Sequence, residues 1–180
     1  DVTINPSVVP SVTIVAIPGD TICNGDNVTF VATTVNGGPS PTYQWYINAS
    51  PVGGNTQSYS TATLVNGDVV TCTIISNAAC VVPTTATSPP LTMVVYPNVT
   101  PTVTVTASPG TSICVGQSVT FTANITNGGP TPIYVWKVNG FPVGGNTPTY
   151  TTTTLVNGDV VTCELTSNAP CVLTPTVVSA

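Results

Sequence analysis

Six cysteines are the side chains of this 180-residue sequence best equipped for chemistry, and they come in two sets of three. Cys23, Cys72 and Cys80 recur as Cys114, Cys163 and Cys171 at a constant spacing of 91 residues. No zinc-type spacing links them and no histidine accompanies them, so disulfide chemistry in an oxidising, extracytoplasmic compartment is the reading. The next candidates are carboxylates. Asp68 and Asp159 each close an Asn-Gly-Asp triplet, which is turn chemistry first and a calcium ligand only second. Calcium needs several clustered oxygens, and Asp26 is replaced by Gln117 in the second set, so the turn reading is preferred.

Other chemistry lacks material. The charged residues are Asp1, Asp20, Asp26, Asp68, Asp159, Glu164 and one base, Lys137; arginine and histidine are absent. No paired carboxylates exist for acid–base work, and the many serines and threonines have no base to activate them. The sequence therefore predicts no enzyme and no cofactor or metal. A net charge of -5 with one lysine leaves nothing to neutralise phosphates, so a nucleic-acid partner is excluded and anionic membrane surfaces are disfavoured. No run is long enough to span a bilayer, so membrane insertion is not expected. No signal peptide is visible, and the segment reads as mature or internal.

The elements that must position these residues follow from an internal repeat. Residues 10–89 align without a gap on residues 101–180, with 46 of 80 positions identical. The phrases TLVNGDVVTC (63–72, 154–163) and PVGGNT (51–56, 142–147) recur unchanged. A period near ninety residues is too long for a solenoid turn and marks a domain. Hydrophobic residues make up 41%, dominated by Val and Ile, with 18 Pro and 15 Gly to supply turns: a strand composition.

Period-two alternation runs throughout and helical periodicity is absent. In the first repeat it predicts strands over Ser11–Ile17, Thr21–Cys23, Asn27–Thr33, Thr42–Asn48, Ser58–Leu64, Val69–Ser76 and Leu91–Tyr96. Trp45 shares its face with Tyr43 and Ile47, and Trp136 with Tyr134 and Val138, so both tryptophans are core residues rather than sugar platforms. Cys72 faces inward with Val70 and Ile74, while Lys137 and Glu164 mark the outward phase in the second repeat. Seven or so short strands, an inward tryptophan on the third and an inward cysteine on the sixth predict an all-β fold of two tandem Ig-like antiparallel β-sandwiches.

SICVGQSVTFTA, YVWKVNG and NGDVVTCELTSNAPC resemble the Ig-like tandem repeats of large secreted cell-surface proteins and adhesins of Bacteroidetes, exported by the type IX (gliding-associated) system. The resemblance covers both repeats. It implies an extracellular or cell-surface location, and it is weak for function because such repeats are mostly spacers. It also implies a Cys23–Cys80 pairing, because relatives often keep only cysteines resembling those two. Asp20-Thr21-Ile22 resembles the O-glycosylation signal of that phylum, which makes Thr21 a candidate. Asn27, Asn48, Asn98 and Asn124 match the N-linked acceptor pattern.

Three pairings stay open for the cysteines. Cys23–Cys72 fits an Ig-like layout and is preferred, with a disulfide expected at Cys23 or Cys114 in each repeat. Cys23–Cys80 has the support of the resemblance. Cys23–Cys171 would staple neighbouring repeats into a stiff rod.

The offset also assigns the ends. Asp1–Pro6 falls on Thr92–Pro97, placing Val2 and Ile4 on Met93 and Val95. Residues 1–6 are thus expected to act as a closing strand for a preceding domain. Residues 7–97 form the first repeat, and 98–180 form a second repeat without its closing strand. The expected partners are copies of the chain or neighbouring repeats, joined head-to-tail. The function expected is structural, a segment of an extracellular filament or surface stalk with adhesion as a further role. The alternative is a glycan- or protein-binding module that uses loops 36–41 and 127–132; their near identity, NGGPSP and NGGPTP, disfavours it.

Overall fold

The computed structural model describes residues 4–180. The chain divides into two compact units, Asp1–Pro97 and Asn98–Ala180. Both are all-β, as the alternation requires.

In the first unit the strands are β1 (Ser11–Ile17), β2 (Thr21–Cys23), β3 (Val28–Val35), β4 (Thr42–Ile47), β5 (Ser50–Val52), β6 (Ser58–Thr61), β7 (Val69–Ile75), β8 (Thr85–Thr87), β9 (Leu91–Thr92) and β10 (Val94–Tyr96). One large sheet is ordered β1-β3-β6, a second is ordered β5-β4-β7-β8 with β9 also on β7, and β10 with β2 forms a separate two-stranded sheet. The pairs within the two large sheets are antiparallel. The second unit repeats the plan with β11 (Thr102–Ser108), β12 (Val119–Thr126), β13 (Ile133–Val138), β14 (Phe141–Val143), β15 (Thr149–Thr152), β16 (Val161–Thr166) and β17 (Thr176–Val178). Its sheets are β11-β12-β15 and β14-β13-β16-β17.

Each core lies between two sheets, lined by the inward phase of their strands. Val28, Phe30 and Ala32 from β3 meet Trp45 from β4 and Val70, Cys72 and Ile74 from β7, all fully buried. In the second unit Trp136, Cys163 and Leu165 are equally buried. Trp45 sits in a ring triangle with Phe30 and Tyr59, at centroid separations of 6.2 and 6.3 Å, and its indole N–H donates to the Thr56 carbonyl at 2.9 Å. Trp136 repeats this with Phe121, Tyr150 and Thr147. The recurring PVGGNT phrase builds the collar of this arrangement. Asn55 accepts the Tyr43 amide at 2.7 Å, and Thr56 supplies the carbonyl for the tryptophan.

The closing segment departs from a single antiparallel strand. It breaks at Met93, which is fully buried. Before the break, Leu91 and Thr92 pair with Val70 and Val69 of β7. After it, Val94, Val95 and Tyr96 pair in parallel with Thr21, Ile22 and Cys23 of β2. The segment therefore leaves the β4–β7 sheet and forms a separate two-stranded parallel pair with β2.

Candidate assembly site

The groups that hold the closing segment in the first unit are specific. Val94 donates to the Asp20 carbonyl at 2.8 Å, and Asn24 donates to the Tyr96 carbonyl at 2.9 Å. Met93 donates to the Asp68 carbonyl at 2.8 Å and accepts from Gly67 at 2.9 Å. Val95 donates to the Asn66 side-chain oxygen at 3.1 Å. The 91-residue offset carries these five holders onto Thr111, Val115, Asp159, Gly158 and Asn157. All five line one open groove of about 590 Å³ in the second unit, floored by Ile113, Leu155 and Val161 among others.

The groove marks a real difference in burial. Leu64 and Ile22 are 2% and 5% exposed, whereas their counterparts Leu155 and Ile113 are only half-buried. Val70 is fully buried and Val161 is not. Val115, which lines the groove, is fully exposed. Segment Ser112–Cys114, the counterpart of β2, carries no strand pairing among the described residues. An open edge beside exposed apolar floor is a template for an added strand.

Of the residues expected to donate such a strand, Ile4 is 89% exposed, and Val2 lies outside the described residues.

The cysteines correct the preferred pairing. Cys72 and Cys80 are free, so Cys23 pairs with neither, and both expected pairings within a repeat fall. Cys114, expected to bond in the second repeat, is also free, as is Cys163. Cys23 and Cys171 are the disulfide-bonded cysteines. The reason for the miss is topological. Cys72 lies mid-strand, directly across from Trp45, and the facing residues of β3 are Val28, Phe30 and Ala32, which bring no thiol. Burial pushes the Cys72 thiol up to about 11; burial, and then the Glu164 carboxylate, push Cys163 up to about 11. Thiols so disfavoured as thiolates are packing residues.

The carboxylates are spent on turns. Asp68 accepts the Val65 amide at 2.9 Å and the Asn48 side-chain amide at 2.7 Å. Asp159 does the same with Val156 and Asn139, and these two hydrogen bonds hold its carboxyl below its ordinary value. Asp26 accepts the Cys23 amide at 3.0 Å, and Gln117 accepts the Cys114 amide at the same distance. A neutral amide does the same work, so the carboxylate charge is not what the position requires. No metal-binding cluster of His, Cys, Asp or Glu occurs among the described residues.

Loop 36–41 is latched to its own domain. Ser76 donates to the Asn36 carbonyl at 2.6 Å, and Asn77 bridges Gly37 and Ser40. Ser167 and Asn168 hold loop 127–132 in the same way. The recurrence of these loops is thus explained by folding.

The acceptor asparagines differ in setting. Asn27 and Asn98 are exposed, and Thr21 lies on β2 with its side chain exposed. Asn124 contacts Thr106 at 3.3 Å. Both polar atoms of Asn48 are engaged, with Asp68 and with the Val69 amide.

No protein-family model matches the chain. The highly immunogenic outer capsid protein of Enterobacteria phage T4 is 36% identical over 123 residues, covering 65% of this chain and 32% of that protein. The chain thus spans about a third of the length of that curated relative. Among solved structures, the eight N-terminal Ig domains of Down Syndrome Cell Adhesion Molecule isoform 1.30.30 superpose with a TM-score of 0.53 at 13% identity, over 94% of this chain and 26% of that one. Three N-terminal domains of the bacteriophage RB49 Hoc capsid protein match at 16% identity and a TM-score of 0.40, over 94% of this chain and 56% of that one. The likeness to solved structures is one of fold: the chain is all-β, built of tandem Ig-like sandwiches. These relatives give no support to the finer attribution to type IX-exported proteins of Bacteroidetes.

Proposed function

We propose that this chain is a structural segment of an extracellular filament, stalk or particle-surface decoration. It is assembled head-to-tail from Ig-like modules, either through strand completion or as one continuous repeat chain. The observation that carries the proposal is the match between the five groups holding Leu91–Tyr96 in the first unit and the five lining the groove in the second. A groove that reproduces a strand's binding partners at the same repeat positions accepts a strand of the same kind. Each repeated head-to-tail contact leaves a new open site, so the assembly is open-ended. The capsid location named for the phage T4 relative supports a surface role, and the internally latched loops leave a connecting role as the economical one.

The test extends the chain by a copy of Leu91–Pro97 after Ala180, so that the groove is filled in cis. The filled form should melt at higher temperature and sediment as a monomer. The parent chain should melt lower; its association into extended particles by negative-stain microscopy would favour strand exchange between copies over a continuous chain. Equal stability and equal association of the two would refute the assignment.

A further inference from the structure

We infer that the outer face of the β14-β13-β16-β17 sheet docks on the same face of a second copy of this chain. A two-fold axis sets Lys137 of each copy beside the partner's Glu164. The inference stands apart from the groove, none of whose lining residues belongs to this face.

Strand phase builds the face. Trp136, Cys163 and Leu165 are fully buried, so the residues between them, Val135, Lys137 and Glu164, point away from the core. The register sets Val135, Glu164 and Val178 side by side in one row across β13, β16 and β17. Ile133 shares the face from the start of β13. Ile133 and Val178 are exposed, and between them Lys137 donates to Glu164 at 2.7 Å. This is the only ion pair among the described residues.

The two repeats part company here. Inward Tyr43, Trp45 and Cys72 recur unchanged as Tyr134, Trp136 and Cys163. Outward Thr42, Gln44, Tyr46, Thr73 and Thr87 become Ile133, Val135, Lys137, Glu164 and Val178. Five neutral polar residues thus give way to three aliphatic ones around an ion pair, while Ile75 to Thr166 runs the other way. The first unit forms the same sheet without the pair or its apolar surround, so folding does not call for them.

Charge selects the occupant. A partner for this face must bring an acid to Lys137 and a base to Glu164. Lys137 is the one basic side chain of the sequence. A second copy can therefore answer Glu164 only with its own Lys137, which means presenting this same face. The two-fold arrangement satisfies both groups at once, as four alternating charges flanked by the aliphatic residues of both copies. A shifted register sets like charges together, which costs several kcal/mol and fixes the alignment. A single sheet face with charges at its centre makes a weak contact, populated only at high protein concentration.

The test is sedimentation equilibrium of the intact chain over a concentration series, with excess peptide LTMVVYP present to occupy the groove and remove end-on association. The chain should pass from 18.2 kDa to twice that mass as concentration rises, and go no further. Lys137→Glu and Glu164→Lys should each weaken this dimer by about tenfold or more, because each sets like charges face to face. An equimolar mixture of the two variants should dimerise at least as well as the parent, and the double variant carrying both changes should recover the dimer. A role confined to sheet stability changes melting temperatures but produces neither the recovery by mixing nor the recovery by double substitution. A chain monomeric at every concentration, dimers that ignore both reversals, or a mixture no better than its components overturns the inference. None of these outcomes bears on the head-to-tail reading, since no variant touches the groove.

Discussion

Gly53 lies directly beneath the ring of Tyr59: a Cβ built on Gly53 would stand 2.7 Å from the ring carbon Cδ2. Gly144 stands in the same relation to Tyr150, at 2.9 Å. Both glycines also have a φ of 66°, which side chains with a Cβ rarely adopt. Gly53→Ala or Gly144→Ala should therefore push the tyrosine off its phenylalanine and tryptophan neighbours. Each should destabilise its repeat by about 1–3 kcal/mol, read from the urea midpoint. An unchanged midpoint would show that the ring shifts freely.

The tryptophans should behave as core residues. Trp45 and Trp136 are fully buried and hydrogen-bonded. Truncating either to alanine should cost about 3–5 kcal/mol in its own repeat. Native fluorescence should resist quenching by iodide, and quenching as ready as that of free tryptophan would contradict the burial.

Thiol reactivity should sort the free cysteines into two classes. Cys80 and Cys114 are exposed, whereas burial disfavours the thiolates of Cys72 and Cys163. Brief alkylation of the dilute, unassembled native protein at pH 8 should label the first pair alone, with the second reacting only after denaturation. Equal labelling of all four would mean that the cores open on the timescale of the reagent.

The two repeats should differ in local stability. Met93 and Val95 are buried in the first unit, each contributing roughly 1.5–3 kcal/mol, while the corresponding groove of the second is open. Hydrogen exchange should be faster at Val161 than at Val70. A peptide of sequence LTMVVYP should slow Val161 selectively. Matching exchange rates without the peptide would count against the groove as a weak point.

Acid should weaken the Asp159 turn. Its folded pKa lies below the usual value of 3.8, through the Val156 amide and then the Asn139 side chain. A depressed carboxyl stabilises the fold above its unfolded pKa, and that contribution is lost as pH falls through the folded value. Asp159→Asn should therefore flatten the fall in melting temperature of the second repeat below pH 4. An identical acid profile in the variant would remove the charge from the account.

Most of the fold was legible because its determinants are local. Alternation along Ser11–Ile17, Thr21–Cys23 and Val69–Ile75 gave those strands nearly residue for residue, and the shared phase of Tyr43, Trp45 and Ile47 placed the tryptophan in the core. The repeat fixed the equivalence of Cys23 with Cys114 and of Cys80 with Cys171. Which thiols bond was not legible, because bonding depends on which strand faces which. Only the sandwich shows β3 offering Val28, Phe30 and Ala32 to the layer that holds Cys72. The closing segment makes the same point. Its apolar residues announced a strand, but its break at Met93 and its passage from β7 to a parallel seat on β2 are tertiary. Spacing along a chain sets which face a side chain takes; the neighbour across that face is set by tertiary packing, and both the cysteine pairing and the open groove depend on that neighbour.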